Sequence, residues 1–278
     1  MNETTLITGA SSGIGLALAR EFARNGHPLI IVAPVQAELN RVANEIEKEF
    51  NVHVTPLAAD LTREEAPDEL LFELQENGRE VHILVNNAGI GKKGLFVDVP
   101  LEREIDIIRL NVEAVVRMTK LFLPEMLSRH SGRILNTASV AGFEPGPLLS
   151  VYHASKAFVL SFTEALAVEL EDSGVSITAL CPGATDTDFF LKASMTGTRM
   201  FQKGNVMAPG EVAEEAYKAL MHGDPLCVVG AANKALVASR RFMTIPATAR
   251  MNRKFYEDLP RSQRQRARGD IEQEYHHH

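Results

Sequence analysis

Short apolar runs alternate with longer amphipathic stretches along most of this chain, and that alternation limits its folds more than any other feature. The runs occupy residues 4–8, 29–33, 52–58, 82–86, 132–138, 175–181 and 226–229. Residues 14–25, 36–49, 64–77, 102–129, 151–172 and 209–221 lie between them with apolar side chains at helical spacing. A continuous run such as Leu29-Ile30-Ile31-Val32 suits a strand covered on both faces. Strands separated by helices form right-handed crossovers between parallel neighbours. The expectation is a doubly wound α/β fold, in which a mostly parallel sheet of seven strands lies between two helical layers. No internal repeat or low-complexity linker interrupts the pattern, and no domain boundary is visible before about residue 230.

Composition narrows the class. Of 278 residues, 45% are hydrophobic and 23% charged, too apolar and too mixed in charge for a disordered chain. Two cysteines, Cys181 and Cys227, are too few for a disulfide framework and fit a reducing compartment, so a cytoplasmic location is expected. No apolar run approaches the roughly 18 residues of a membrane span. The first residues lack the basic and then apolar pattern of a signal peptide. His276-His277-His278 reads as the remnant of a purification tag. The net charge of −7 conceals an asymmetry. Between Gly230 and Gly269 ten Lys and Arg stand against two acids, a balance of +8; residues 270–278 carry −3, which leaves −12 on residues 1–229.

The first strand runs into Thr8-Gly9-Ala10-Ser11-Ser12-Gly13-Ile14-Gly15 and then a helix. Gly9 permits the tight turn, Gly13 lets backbone approach a pyrophosphate, and Gly15 lets the helix pack close to the strand. Exposed N–H groups and the helix dipole favour phosphate there. A plain helix-capping loop has the same composition. Tyr152 and Lys156 stand four residues apart and share one helix face, roughly 6 Å apart. An ammonium beside a phenol favours the phenolate, and moving a tyrosine from about 10 to near neutrality takes about 4 kcal/mol.

The glycine spacing, together with Asn86-Asn87-Ala88-Gly89, Asn111, Ser139, Tyr152-His153-Ala154-Ser155-Lys156 and Pro182-Gly183, resembles the short-chain dehydrogenase/reductase family in its single-domain branch. The resemblance covers about residues 3 to 230. It implies a Rossmann-type three-layer sandwich and an oxidoreductase acting on alcohol/carbonyl pairs with NAD(P). By resemblance, Tyr152 is the general acid/base, Ser139 orients the reacting oxygen, and Lys156 also holds the nicotinamide ribose. Asn111 kinks its helix and anchors a water that relays protons to Lys156. Ser11, Ser12 and Ile14 line the phosphate turn with the glycines. Asp60-Leu61 meets adenine, although Asp60 also suits a helix N-cap. Asn86, Ala88 and Gly89 abut the adenosine ribose. Pro182, Gly183, Thr185 and Thr187 meet the carboxamide, and the two threonines are placed to cap the helix that follows. No metal is implied. A homodimer or homotetramer is expected.

The choice of cofactor falls just after the second strand, where Val32-Ala33-Pro34-Val35-Gln36 carries neither the acid that selects NAD nor the arginine that selects NADP. The rest of the segment resembles NADP users, so NADP is favoured and NAD is the alternative. Phe189, Phe190, Leu191, Met195, Met200 and Phe201 make an apolar lid, with Gly197 and Gly204 as flexible points. With Val140, Phe143 and His153 they suggest a pocket for a hydrophobic carbonyl or secondary alcohol; the other reading is that several pack into the core. A catalytically silent nucleotide-binding protein on the same fold is the alternative function, and the intact Asn111, Ser139, Tyr152 and Lys156 set weighs against it.

Residues 1–230 are thus read as the catalytic domain and 231–275 as a basic helical extension, broken at Pro246. The extension is expected to pack on its own or a neighbouring subunit, its arginines solvated or meeting the acidic body. Attachment to an anionic membrane surface is the second reading. Nucleic acid is the third, and it is disfavoured because the body repels phosphate.

Overall fold

The computed structural model describes residues 3–271 and residue 273. The three terminal histidines lie outside the described residues. Seven strands form one sheet: β1 (Thr5–Thr8), β2 (Leu29–Ala33), β3 (Val54–Ala58), β4 (Ile83–Asn86), β5 (Gly132–Thr137), β6 (Val175–Cys181) and β7 (Leu226–Val228). Their order is β3-β2-β1-β4-β5-β6-β7, and every neighbouring pair is parallel. The helices are α1 (Gly13–Arg24), α2 (Gln36–Phe50), α3 (Ala66–Glu76), α4 (Leu101–Ile108), α5 (Ala114–Ser128), α6 (Ser150–Glu169), α7 (Asp188–Lys192), α8 (Arg199–Lys203), α9 (Pro209–His222), α10 (Ala231–Ser239) and α11 (Ile245–Tyr256).

Strand alternation divides the core into two layers. Ile7, Ile31, Val85 and Leu135 face one side, where Leu18 and Phe22 of α1, Val42 and Ile46 of α2, and Val212 and Leu220 of α9 cover them. Leu6, Ile30, Leu84 and Ile134 face the other, against Leu70 and Leu74 of α3 and Met118, Phe122 and Met126 of α5. All of these are buried to within 3%. Burying one such side chain contributes about 1.5–3 kcal/mol, so both faces of the sheet are fixed by apolar packing.

The single helix expected over 102–129 is interrupted. Residues Arg109–Glu113 form a π-helical turn between α4 and α5. Asn111, the residue expected to kink the helix, lies in that turn and is wholly buried. Beyond β7 the chain does form helices. Pro246 stands in the first turn of α11, where its missing N–H costs nothing. This extension packs on its own chain: Tyr256 joins Leu149, Phe190, Ala193, Met195 and Phe201 in a small apolar core beside the lid.

Candidate active site

The strand order reverses at β1 and β4, which opens a crevice at the carboxyl ends of the strands. A cavity of about 320 Å3 fills it. Gly9, Ser11, Ser12, Gly13, Ile14 and Gly15 line one part with Asn87, Ala88 and Gly89. Gly9 has φ +68, and a Cβ on Gly15 would stand 2.1 Å from the Gly9 carbonyl oxygen, so neither position admits another residue. Ser12 makes no side-chain cap on α1. The first N–H groups of α1 therefore remain available to an anion in the cavity.

Asn87 locks this turn. Its Nδ2 donates to Thr8 O at 3.0 Å, and the N–H groups of Asn87 and Ala88 donate to Thr8 Oγ1 at 2.9 and 3.0 Å. Asn86, the expected cofactor contact, is off the cavity wall: it is buried and donates to Asn136 Oδ1 and Thr119 Oγ1. Side chains at the end of a strand alternate, and that period of two is the signal that selects Asn87 over Asn86. Val32, Ala33 and Pro34 continue the wall with Ala59, Asp60 and Leu61. Asp60 Oδ1 accepts from Thr62 N and Oγ1 at 3.0 and 2.7 Å, and Glu65 is the N-cap of α3, so Asp60 caps a turn and not the helix.

α6 places Tyr152 and Lys156 one turn apart on the cavity wall, and Ser139 reaches it from the loop after β5. Lys156 Nζ donates to Thr137 O at 2.7 Å and stands 5.9 Å from the centre of the Tyr152 ring. Ser139 Oγ donates to Pro182 O at 3.3 Å and accepts from Ala141 N at 3.1 Å. Burial pushes Tyr152 up to about 12, against the lowering effect of Ser139. Burial also lowers Lys156 to about 8. The phenolate expected near neutrality depends on the nicotinamide ring as well as on Lys156, and these values describe the protein without cofactor. Without cofactor, desolvation dominates and Tyr152 holds its proton. Behind them, burial pushes the Cys181 thiol up to about 12, which leaves it unreactive.

Asn111 is not on the cavity wall. Its Nδ2 donates to Ile90 O at 2.9 Å and Ser155 Oγ at 3.0 Å, and its Oδ1 accepts from Ile90 N at 2.9 Å. It thereby fixes Ile90, which is on the wall, to α6. Pro182, Gly183, Thr185 and Thr187 also line the cavity. The threonine hydroxyls do not cap α7: Thr187 is its N-cap residue without a side-chain bond, and Thr185 Oγ1 donates to Gly183 O.

Val140, Phe189 and Phe190 line the cavity with Leu149, Met195 and Met200. Phe143 and His153, expected in the same pocket, are not on its wall. Phe143 packs against the cluster of Val159, Leu160 and Ala138. His153 is buried behind, with Nδ1 2.8 Å from Glu144 O and Nε2 2.8 Å from the Tyr256 hydroxyl. His153 points away because successive residues of α6 face different sides, so only one of the neighbours Tyr152 and His153 meets the cavity. Tyr256 lines the pocket from α11, and no local pattern announces it.

The cavity suits a dinucleotide. It has a glycine cradle at a helix N-terminus, and on its wall Thr137 Oγ1 is buried with no hydrogen-bond partner among the described residues. A short chain dehydrogenase family model matches residues 3–196. The chain belongs to the short chain dehydrogenase family. Members of this family use NAD(P). Among its relatives, a very-long-chain 3-oxoacyl-CoA reductase of Anas platyrhynchos is 40% identical over 182 residues, 64% of this chain and 58% of the relative. A 17-beta-hydroxysteroid dehydrogenase type 3 of Mus musculus is 39% identical over 203 residues, 71% and 66% of the two chains. The matches thus span less than two thirds of these relatives' own length. A short-chain dehydrogenase from Sphingobium yanoikuyae, solved in complex with NADPH, is 35% identical with a TM-score of 0.77, covering 86% of this chain and 94% of that one. In this chain Tyr152, Lys156 and the glycine turn meet in one site.

Proposed function

We propose that this chain is an NADP(H)-dependent oxidoreductase that interconverts a secondary alcohol and the matching ketone, or a primary alcohol and the matching aldehyde, on a hydrophobic substrate. One observation carries the reading: Ser139, Tyr152 and Lys156 converge on the wall of a cavity that the glycine turn also lines. When bound, the nicotinamide is the source or sink of the hydride. Tyr152 gives its phenolic proton to the carbonyl oxygen in reduction and takes it from the alcohol in oxidation. Ser139 turns its hydroxyl from Pro182 O to donate to the same oxygen and keeps it beside the phenol. The bare stretch Val32-Ala33-Pro34 supports NADP(H), since no carboxylate there repels a 2′-phosphate. Phe189, Phe190, Met195 and Met200 support the apolar substrate, as do relatives named for 3-oxoacyl-CoA and hydroxysteroid substrates.

On the same footing we propose a cytoplasmic homo-oligomer. The buried free thiols of Cys181 and Cys227 support a reducing compartment. The exposed Leu101, Ile108, Phe158 and Val168 on α4 and α6 support self-association. Among the described residues, no helix is long and apolar enough to cross a membrane.

The test is a panel of ketones with NADPH and NADH, followed at the nicotinamide absorbance band. Reduction with NADPH ahead of NADH is expected, and Tyr152→Phe should slow it about 10²-fold or more. Equal rates for Tyr152→Phe and the wild type would sink the assigned mechanism.

A further inference from the structure

Tyr256 reaches the cavity from a segment outside the family match, which ends at residue 196. It is 4% exposed and lines the cavity with the apolar Leu149, Phe189, Phe190, Met195 and Met200, where Asp188 and Lys192 of α7 are the charged neighbours. Its hydroxyl lies 2.8 Å from His153 Nε2, and His153 Nδ1 lies 2.8 Å from Glu144 O. A backbone carbonyl only accepts, so Nδ1 carries the ring proton. Burial lowers His153 to about 4, so the ring is neutral and Nε2 holds a lone pair. The Tyr256 hydroxyl is therefore the donor in that bond. Its oxygen keeps acceptor capacity and has no second proton to give.

The arrangement is rigid. Gly146 makes room for His153, since a Cβ there would stand 2.0 Å from the ring. Asn252 of α11 donates to Pro145 O at 2.9 Å, and Lys93 pairs with Asp258 at 2.6 Å just beyond Tyr256. The hydroxyl is thus held in place before any substrate arrives.

We propose that Tyr256 is a specificity-determining residue of this site. It offers the substrate an acceptor only, with His153 as its positioning residue. The site then selects carbonyl compounds whose apolar body carries a hydrogen-bond donor, a hydroxyl or an N–H, remote from the reacting carbon. This inference rests on the reading of the cavity as a carbonyl site. A site built to pair with a substrate hydroxyl discriminates against the analogue that lacks it, because a buried polar atom is left alone.

The experiment uses pairs of aryl ketones that differ only in a terminal hydroxymethyl or fluoromethyl group, at increasing distance from the carbonyl. Dissociation constants are read from the change in fluorescence of enzyme-bound NADPH, and reduction rates in parallel. In the wild type, one length should show the hydroxymethyl ketone binding roughly five-fold tighter than its partner. Tyr256→Phe should abolish that ratio while leaving NADPH affinity near the wild-type value, with a lower melting temperature because His153 Nε2 loses its donor. Equal binding within every pair in the wild type, or an unchanged ratio in Tyr256→Phe, overturns the proposal. If Tyr256→Phe does not fold, the wild-type comparison decides alone. Discrimination in binding with no reduction of any ketone would remove the proposed activity and leave the role of Tyr256 standing.

Discussion

Lys156 is where burial and chemistry conflict most directly. A lysine lowered to about 8 in the folded chain, against 10.5 ordinarily, is charged at neutral pH only at a cost on the order of 3 kcal/mol. Between pH 8 and 10.5 the unfolded chain holds a proton that the folded one has released, so stability rises with pH across that window. Lys156→Met removes the charge but leaves Thr137 O without its donor. It should be inactive yet about 2 kcal/mol more stable below pH 8. Melting curves at several pH values should show the gap narrowing as pH rises toward 10. Pro34 gives a second prediction at this scale. Pro34→Arg places a cation where a 2′-phosphate would lie, and NADPH binding should tighten about ten-fold with NADH unchanged. An NADPH dissociation constant equal to the parent's would refute that placement of the residue.

At the scale of elements, the lid and the C-terminal extension work as one unit. Expected as a flexible flap, the lid is instead tied down by the chain that follows α11. Leu259 N donates to Gly197 O, Gln202 Oε1 accepts from the N–H groups of Gln265 and Arg266, and Arg266 donates to Phe201 O. Asp186, fully buried, accepts from Gly269 N and Ile271 N at 2.9 and 3.1 Å. Asp186→Ala strands both donors and should cost about 1–3 kcal/mol. Limited proteolysis should then cut near residue 269 faster than in the parent, while the sheet resists. The strands and the spacing of Tyr152 and Lys156 were legible because strand and helix periods act locally. Tyr256 was not, because its partner His153 is 103 residues away and only the folded chain brings them together. The π-helical turn at Asn111 was half legible: a polar residue amid an amphipathic stretch marks the place, but only the bonds to Ile90 and Ser155 explain why the helix widens there.

Across the whole molecule, the charge asymmetry resolves into internal pairing. Arg240 meets Glu144 in a nearly buried pair, Arg268 meets Asp188 and Asp186, and Lys234 approaches Glu215. The cationic extension is therefore partly neutralised by the body it covers. The cofactor cavity spans α1, α6 and the loops after β1, β2, β4, β5 and β6, so ligand binding braces most of the sheet. NADPH at about 100 times its dissociation constant should add about 2.7 kcal/mol, raising the melting temperature by a few degrees. A smaller rise with NADH at the same concentration is expected, and the reverse order would count against the NADP(H) preference.

The sheet is complete once Val228 has joined Cys181, yet the pocket wall waits for Tyr256, and Asp186 waits for Ile271. During synthesis the amino-terminal part folds first. The nucleotide half can therefore assemble while the substrate half is still open. In refolding, recovery of NADPH fluorescence should precede recovery of turnover, separated by the time the extension takes to dock.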